Sequence, residues 1–116
     1  MNNLTIEILK NESKDNANKH GWLINWGNEK SSCNQSDEII KNLSIGDALS
    51  LCHSELSEAL EAFRDDDKEH FCEEIADEFI RLGHLCGDLN INIEYYILQK
   101  MEKNKYRPKN HGRKNY

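Results

Sequence analysis

The sequence contains little proline and no long hydrophobic run. A single proline, Pro108, stands near the end of the 116 residues, so little interrupts helix formation. Hydrophobic residues make up 37% and charged residues 31% of the chain, which argues against both a disordered protein and a membrane protein. Residues 1–20 lack the apolar stretch of a signal peptide. We therefore expect a soluble, cytoplasmic protein whose residues 1–116 form one domain.

The four cysteines form no C-x-x-C pair, which argues against a zinc-knuckle or thioredoxin-like site. Cys52, Cys72 and Cys86 fall within the apolar patterns of predicted helices, where a free thiol behaves as a small hydrophobic group. We expect these cysteines, and Cys33, to be reduced thiols that are buried or half-buried.

Charge is distributed unevenly along the chain. Residues 100–116 carry seven basic side chains and one acidic side chain, whereas the net charge of the whole chain is −6. The rest of the chain is therefore strongly acidic. Because an acidic surface repels a phosphate backbone, a nucleic-acid partner is not expected.

Apolar periodicity predicts four helices and no strand, so the predicted fold class is all-α. A weak helix over residues 4–19 precedes a long loop over residues 20–43, with a short helix near residues 36–43. Two amphipathic helices fill residues 44–91, with a charged turn at residues 64–68. A last helix follows from Asn92 to about Lys105, and a basic tail completes the segment 92–116. A short turn makes the paired helices antiparallel neighbours in a compact bundle.

One face of the helix that begins at Ser44 is predicted to be the core face, since apolar residues recur on it at helical spacing. This face comprises Ile45, Ala48, Leu49, Cys52, Leu56, Ala59, Leu60 and Phe63.

Four carboxylates flank the apolar faces of the paired helices. Glu55 and Glu58 lie one turn apart on the first helix, and Glu74 and Asp77 lie one turn apart on the second. Such a group is either a solvated acidic face or a cation site. Oxygen ligands alone select a hard cation, first Mg²⁺ and then Mn²⁺. Neither pair is followed by the E-x-x-H motif of a ferritin-like di-iron centre.

Four segments resemble the MazG-like nucleoside triphosphate pyrophosphohydrolases. Residues 51–64 read L-C-H-S-E-L-S-E-A-L-E-A-F-R and residues 73–82 read E-E-I-A-D-E-F-I-R-L, which resembles the family's E-x-x-E and E-x-x-D pair. Residues 100–114 resemble its K-x-x-x-N-x-x-R-P-x-x-H-G segment, and His20-Gly21-Trp22 resembles the G-W that precedes the acidic helices in many members.

The resemblance implies an all-α enzyme that cleaves the bond between the α and β phosphates of a nucleoside triphosphate. It assigns Mg²⁺ binding to Glu55, Glu58, Glu74 and Asp77, with Mn²⁺ as a possible substitute. Catalysis is expected to involve Glu58 and Glu55, with Glu58 as the candidate base that activates water. The resemblance also implies a homodimer or a dimer of dimers.

The basic tail supplies candidate ligands for phosphate: Lys100, Asn104, Arg107 and Lys114. The alternatives are a solvated terminus and a nucleic-acid arm. Trp22 and Trp26 either stack on the base of the substrate or fill the core. His70 and His84 fall on polar faces and are assigned no role.

A function from another class stays open. The chain is alternatively a non-catalytic helical module that binds a protein or nucleic acid through its acidic face and basic tail.

Overall fold

The computed structural model describes residues 3–26 and 41–108, which form four helices and two short strands. In chain order the elements are α1 (Ile6–Lys19), β1 (Trp22–Ile24), β2 (Lys41–Leu43), α2 (Ile45–Arg64), α3 (Lys68–Asp88) and α4 (Ile93–Lys105). The prediction of a mostly helical chain with four helices is confirmed. No helix in the described ranges is long and apolar enough to cross a membrane.

Short polar side chains fix where α1, α2 and α3 begin, whereas the side chain of Asn92 makes no capping hydrogen bond at the start of α4. The side chain of Ser44 accepts a hydrogen bond from the backbone N–H of Asp47, so α2 begins where the sequence predicts. Thr5 and Asp67 cap α1 and α3 in the same way. The turn between α2 and α3 contains Asp66 in the left-handed region, at φ 57°. This short turn brings α2 and α3 into extensive contact.

Two short strands occur where a loop was predicted, so the prediction of a strand-free chain was wrong. β1 and β2 pair in parallel, with Trp22 opposite Lys41 and Ile24 opposite Leu43. Three residues are too few to show the alternation that reveals a strand in sequence. The short helix predicted near residues 36–43 is also wrong at residues 41–43, and residues 36–40 lie outside the described part.

The core uses small side chains on α2 rather than the large ones. Ile24 and Leu43 of the strands pack with Ala48 of α2 and with Leu85 and Leu89 at the end of α3. The buried residues of α2 follow a spacing of four, three, four and three: Ala48, Cys52, Glu55, Ala59 and Ala62.

The prediction that the large apolar residues of α2 are core was wrong for half of the predicted face. Leu49, Leu56, Leu60 and Phe63 are exposed in this single chain. The buried seam is shifted around the helix toward alanine and cysteine, because small side chains let α3 approach α2 closely. Glu55 lies within this seam.

The cysteine prediction is confirmed at two positions. Cys52 and Cys86 are free and buried, and burial raises the pKa of both thiols. Cys72 is free but exposed, so its predicted burial was wrong. Cys33 lies outside the described residues.

Two glycines allow α1 to lie against α3. A Cβ on Gly83 would lie 2.9 Å from the Ser13 hydroxyl, and a Cβ on Gly87 would lie 2.6 Å from Cβ of Lys14. The second distance is shorter than van der Waals contact and involves an atom next to the backbone. The spacing of four residues therefore gives α3 a flat strip on which α1 packs.

We expect Gly87→Ala to destabilise the protein by about 1–3 kcal/mol, because the added methyl group overpacks the contact between α1 and α3. Gly46→Ala is the matched control, since the nearest atom to its added Cβ is 3.8 Å away. Urea unfolding of both variants measures the difference. Equal stability of the two variants would contradict the close approach of α1 to α3.

Candidate metal centre

Three of the four predicted carboxylates meet between α2 and α3. Glu55 and Glu58 project from α2 and Glu74 from α3, and each offers one oxygen that lies within 4.8 Å of the others. Glu55 and Glu74 are buried, at 7% and 8% exposure, whereas Glu58 is exposed. The site thus has two enclosed carboxylates and one that faces solvent.

Arg81 compensates the charge of one of these carboxylates. Its Nε–H donates to Oε1 of Glu55 at 2.7 Å, from the following helix. Burial disfavours the ionised form of Glu55, but the hydrogen bond from Arg81 and the adjacent carboxyl of Glu74 outweigh burial and lower its pKa. Glu55 is therefore held as a carboxylate.

Glu74 has an unusual environment. His70, one turn earlier on α3, donates from Nε2 to Oε1 of Glu74 at 3.0 Å. The other oxygen, Oε2, is buried and has no hydrogen-bond partner among the described residues. The carboxyl is thus fixed at one oxygen and unsatisfied at the other, which is costly for a buried polar atom.

The neighbouring carboxylates change the acidity of Glu74. The adjacent carboxyls of Glu55 and Glu58, together with burial, raise the pKa of Glu74 to about 7, although His70 acts in the opposite direction. The same contact with Glu74 raises the pKa of His70. A proton therefore reduces the repulsion in this cluster when no cation is present.

The residues fit a hard divalent cation. The donor set consists of carboxylate oxygens, which suit Mg²⁺ and Mn²⁺. The buried Oε2 of Glu74 is an oxygen that a cation would satisfy. His70 fixes the second oxygen of the same carboxyl, as partners of metal ligands commonly do.

Asp77, the fourth predicted ligand, is exposed and is not part of the three-carboxylate cluster. It lines a neighbouring cavity of about 440 Å³ together with Glu55, Arg81 and Trp22. Trp22 is thus at the cavity, whereas Trp26 donates from its indole N–H to the carbonyl of Leu89 at 3.1 Å.

Three of the four predicted phosphate ligands lie among the described residues. Lys100 and Asn104 are exposed on α4, and Arg107 is half-buried just after it. Lys114 lies outside the described residues. Their role in binding phosphate stays a prediction.

Sequence reasoning missed three side chains at or near the site. His70 lies four residues before Glu74 and His84 lies four residues before Asp88, a spacing at which helical side chains meet. That spacing is the signal that would have found them. Arg81 pairs with Glu55 across two helices, which local spacing does not reveal.

No family model, curated protein or solved structure matches the chain. The resemblance to MazG-like enzymes accordingly stays an expectation based on the quoted motifs.

Without divalent cations, the free energy of unfolding is expected to fall as pH rises from 4.5 to about 7. The folded protein retains a proton on Glu74 that the unfolded chain has released in this range. The raised pKa of His70 also lowers the free energy of unfolding as pH rises above 6.5. The lowered pKa of Glu55 has its effect below pH 4.5, where the free energy of unfolding increases with rising pH.

Urea unfolding in the presence of a chelator, repeated at several pH values between 4.5 and 7, measures the slope of the free energy of unfolding against pH. Glu74→Gln should lose most of it, because glutamine does not titrate. Glu61→Gln, at an exposed position of α2, should retain it. An unchanged slope in Glu74→Gln would show that another group binds the proton.

Proposed function

We propose that the chain is a Mg²⁺-dependent hydrolase that converts nucleoside triphosphates to a monophosphate and pyrophosphate. In this proposal it is a MazG-like enzyme that removes unwanted nucleotides from the nucleotide pool. The observation that carries this proposal is the cluster of Glu55, Glu58 and Glu74, with one buried oxygen of Glu74 left without a partner. A cluster that needs a cation suits a polyphosphate substrate, because acidic residues bind phosphate only through a cation.

The proposed arrangement of α2 and α3 is an antiparallel hairpin like that of the MazG-like family. Glu58 near the middle of α2 meets Glu74, and Glu55, one turn earlier, meets Arg81 further along α3. These two pairings run in opposite directions along the two helices. They support the hairpin.

In this proposal Glu55, Glu58 and Glu74 hold Mg²⁺, and Asp77 contributes from the edge of the neighbouring cavity. Bound Mg²⁺ neutralises charge on phosphate oxygens and acidifies a water molecule. Arg81 keeps Glu55 ionised, and His70 holds Glu74 in position.

Glu58 is the proposed general base, because it is the exposed carboxylate of the cluster. It accepts a proton from the attacking water, whose oxygen bonds to phosphorus. One phosphorus–oxygen bond of the α–β bridge breaks, and the bridging oxygen leaves with the other product. Glu55 orients the water in the same proposal.

The basic residues at the end of the chain are proposed to bind the phosphate groups. Lys100, Asn104, Arg107 and Lys114 supply donors for phosphate oxygens, whereas Arg81 of α3 is already engaged by Glu55. The exposure of Lys100 and Asn104 on α4 supports this role, since both are accessible to a ligand.

We also propose that the protein assembles as a homodimer or a dimer of dimers. Leu49, Leu56, Leu60 and Phe63 form an exposed stripe along α2. Their spacing of seven, four and three residues keeps them on one helix face. A second copy would bury this stripe, and apolar stripes of this kind mark interaction surfaces.

We expect Mg²⁺ to raise the melting temperature of the wild-type protein and to support pyrophosphate release from a panel of nucleoside triphosphates. Glu74→Gln should lose most of the Mg²⁺-dependent rise in melting temperature and at least about 100-fold in kcat/KM, because it loses a charged ligand. Differential scanning fluorimetry and a pyrophosphate assay measure the two effects. Circular dichroism should show that the variant keeps its helices.

Glu61→Gln is the control for both measurements, since Glu61 is an exposed glutamate of the same helix. It should behave as the wild type does. If the wild-type protein releases no pyrophosphate from any nucleotide with Mg²⁺ present, the hydrolase proposal is wrong, and the non-catalytic interaction module becomes the better description.

Lys100→Ala and Arg107→Ala should each raise KM for the triphosphate by roughly ten- to a hundredfold, because each removes a charge-assisted contact of roughly 1.5–3 kcal/mol. Lys68→Ala is the matched control, as an exposed lysine at the start of α3. Steady-state kinetics measures the change. Wild-type KM values in both variants would show that the tail does not bind phosphate.

A further inference from the structure

A fourth glutamate, Glu78, lies beside the carboxylate cluster but is not part of it. Glu78 is on α3, about one turn after Glu74. Its Oε1 is buried, and no described residue forms a hydrogen bond with this oxygen. A buried carboxylate oxygen without a partner is costly, because folding removes the water that hydrates it in the unfolded chain. This oxygen therefore needs a hydrogen-bond donor that carries positive charge.

Arg81 is the cation next to Glu78, because residues three positions apart on a helix are neighbours on its surface. Its guanidinium has five N–H donors, and one of them, Nε–H, donates to Glu55 at 2.7 Å. The Arg81 side chain is 41% exposed, whereas the Glu55 side chain is 9% exposed. The guanidinium thus has space to change partners, while its surroundings hold the carboxylate of Glu55 in place.

The thiol of Cys52 indicates that two carboxylates and one guanidinium surround the same point between α2 and α3. Burial raises the pKa of this thiol most, and the charge of Glu78 raises it further. Arg81 lowers the same pKa, and Glu55 raises it. Electrostatic effects weaken with distance, so these three charged side chains lie close to one buried sulfur. Glu55 and Glu78 therefore share the neighbourhood of a single guanidinium.

One guanidinium does not neutralise two carboxylates, so the charge balance depends on whether a cation is bound. Without a cation, Arg81 pairs with Glu55, which the other carboxylates of the cluster also approach. When Glu55 binds a divalent cation, the positive charge there repels the guanidinium, since like charges repel. Glu78 then offers Arg81 a negative partner within one helical turn.

We propose that Arg81 moves from Glu55 to Glu78 when a divalent cation binds to Glu55, and that Glu78 is a positioning residue for the metal centre. The inference rests on the proposed function, because it takes the carboxylate cluster as the site of Mg²⁺. Arg81 keeps Glu55 ionised until the cation replaces it, and Glu78 then holds the guanidinium away from the bound cation. Neither Arg81 nor Glu78 is among the four carboxylates that the resemblance assigns to the metal.

A crystal structure of the Mn²⁺-loaded protein tests the movement directly. We expect a guanidinium nitrogen of Arg81 to lie within about 3.2 Å of Oε1 of Glu78, the usual upper limit for such a hydrogen bond. The hydrogen bond from Arg81 to Glu55 should be absent from that structure. Crystals grown with a chelator should retain it. If Arg81 stays on Glu55 in the Mn²⁺-loaded protein, the inference is wrong.

Titration calorimetry with Mn²⁺ alone measures how much Glu78 contributes to the affinity for the cation. Glu78→Gln should weaken Mn²⁺ binding about tenfold, because the displaced guanidinium no longer finds a charged partner. Glu69→Gln is the matched control, since Glu69 is an exposed glutamate of the same helix. It should bind Mn²⁺ as the wild type does. Equal affinities of the two variants would overturn the inference.

An Arg81→Gln background separates a positioning role of Glu78 from a direct effect of its charge on the cation. In that background, Glu78→Gln should change the affinity for Mn²⁺ less than about twofold, because no guanidinium remains to be received. A loss as large as in the wild-type background would mean that Glu78 acts on the cation itself, which contradicts the inference. If Arg81→Gln does not fold, the two crystal structures decide between these roles.

Failure of the hydrolase proposal gives a different result. In that case no pyrophosphate is released from any nucleotide, yet Mn²⁺ binds and Arg81 still moves to Glu78. A wild-type protein that binds no Mn²⁺ would overturn the inference, because no cation then displaces Arg81 from Glu55.

Discussion

The close approach of α2 and α3 is the constraint on which the site depends. Alanine and cysteine form the buried seam of α2, and a short turn keeps α3 against it. The close packing of α2 against α3 brings Glu55 and Glu74 together in a partly dehydrated environment, where like charges repel strongly. Arg81 relieves the repulsion at Glu55, and a proton or a cation relieves it at Glu74. The site is therefore costly for folding unless a positive charge is present, which is typical of a functional site.

A similar use of small residues holds α1 in place. Gly83 and Gly87 leave room for α1, and α1 carries Asn18 to the buried carboxylate of Asp88. Because Ile24 donates to the same carboxylate, the short sheet is tied to the end of α3 as well. The wall of the cavity and the metal cluster thus share α3 as their common support, so the positions of the two are fixed relative to each other.

The helices and the candidate ligands could be predicted from the sequence, but the arrangement of the core could not. The Ser44 cap and the apolar periodicity locate α2 well, and the pairs of acidic residues predict where Glu55, Glu58 and Glu74 meet. Periodicity alone does not tell which side of a broad apolar face is buried, so the large residues of α2 were misassigned. The two strands are too short to leave a pattern. Two partners of Asp88, Asn18 and Ile24, come from distant parts of the chain, which no local spacing reveals.

The buried seam of small residues on α2 explains why the large residues of the same helix are exposed. A helix whose inner face is made of small residues gains less from burial than one with leucine inside, since hydrophobic stabilisation scales with buried apolar area, at roughly 25 cal/mol per Å². The large side chains of α2, Leu56 and Phe63 among them, are then left outside and exposed. α4 adds little cover, because it has no buried residue. A single chain thus gives up apolar burial for the close helix contact that forms the site, and a second copy against α2 would recover that burial without moving the carboxylates.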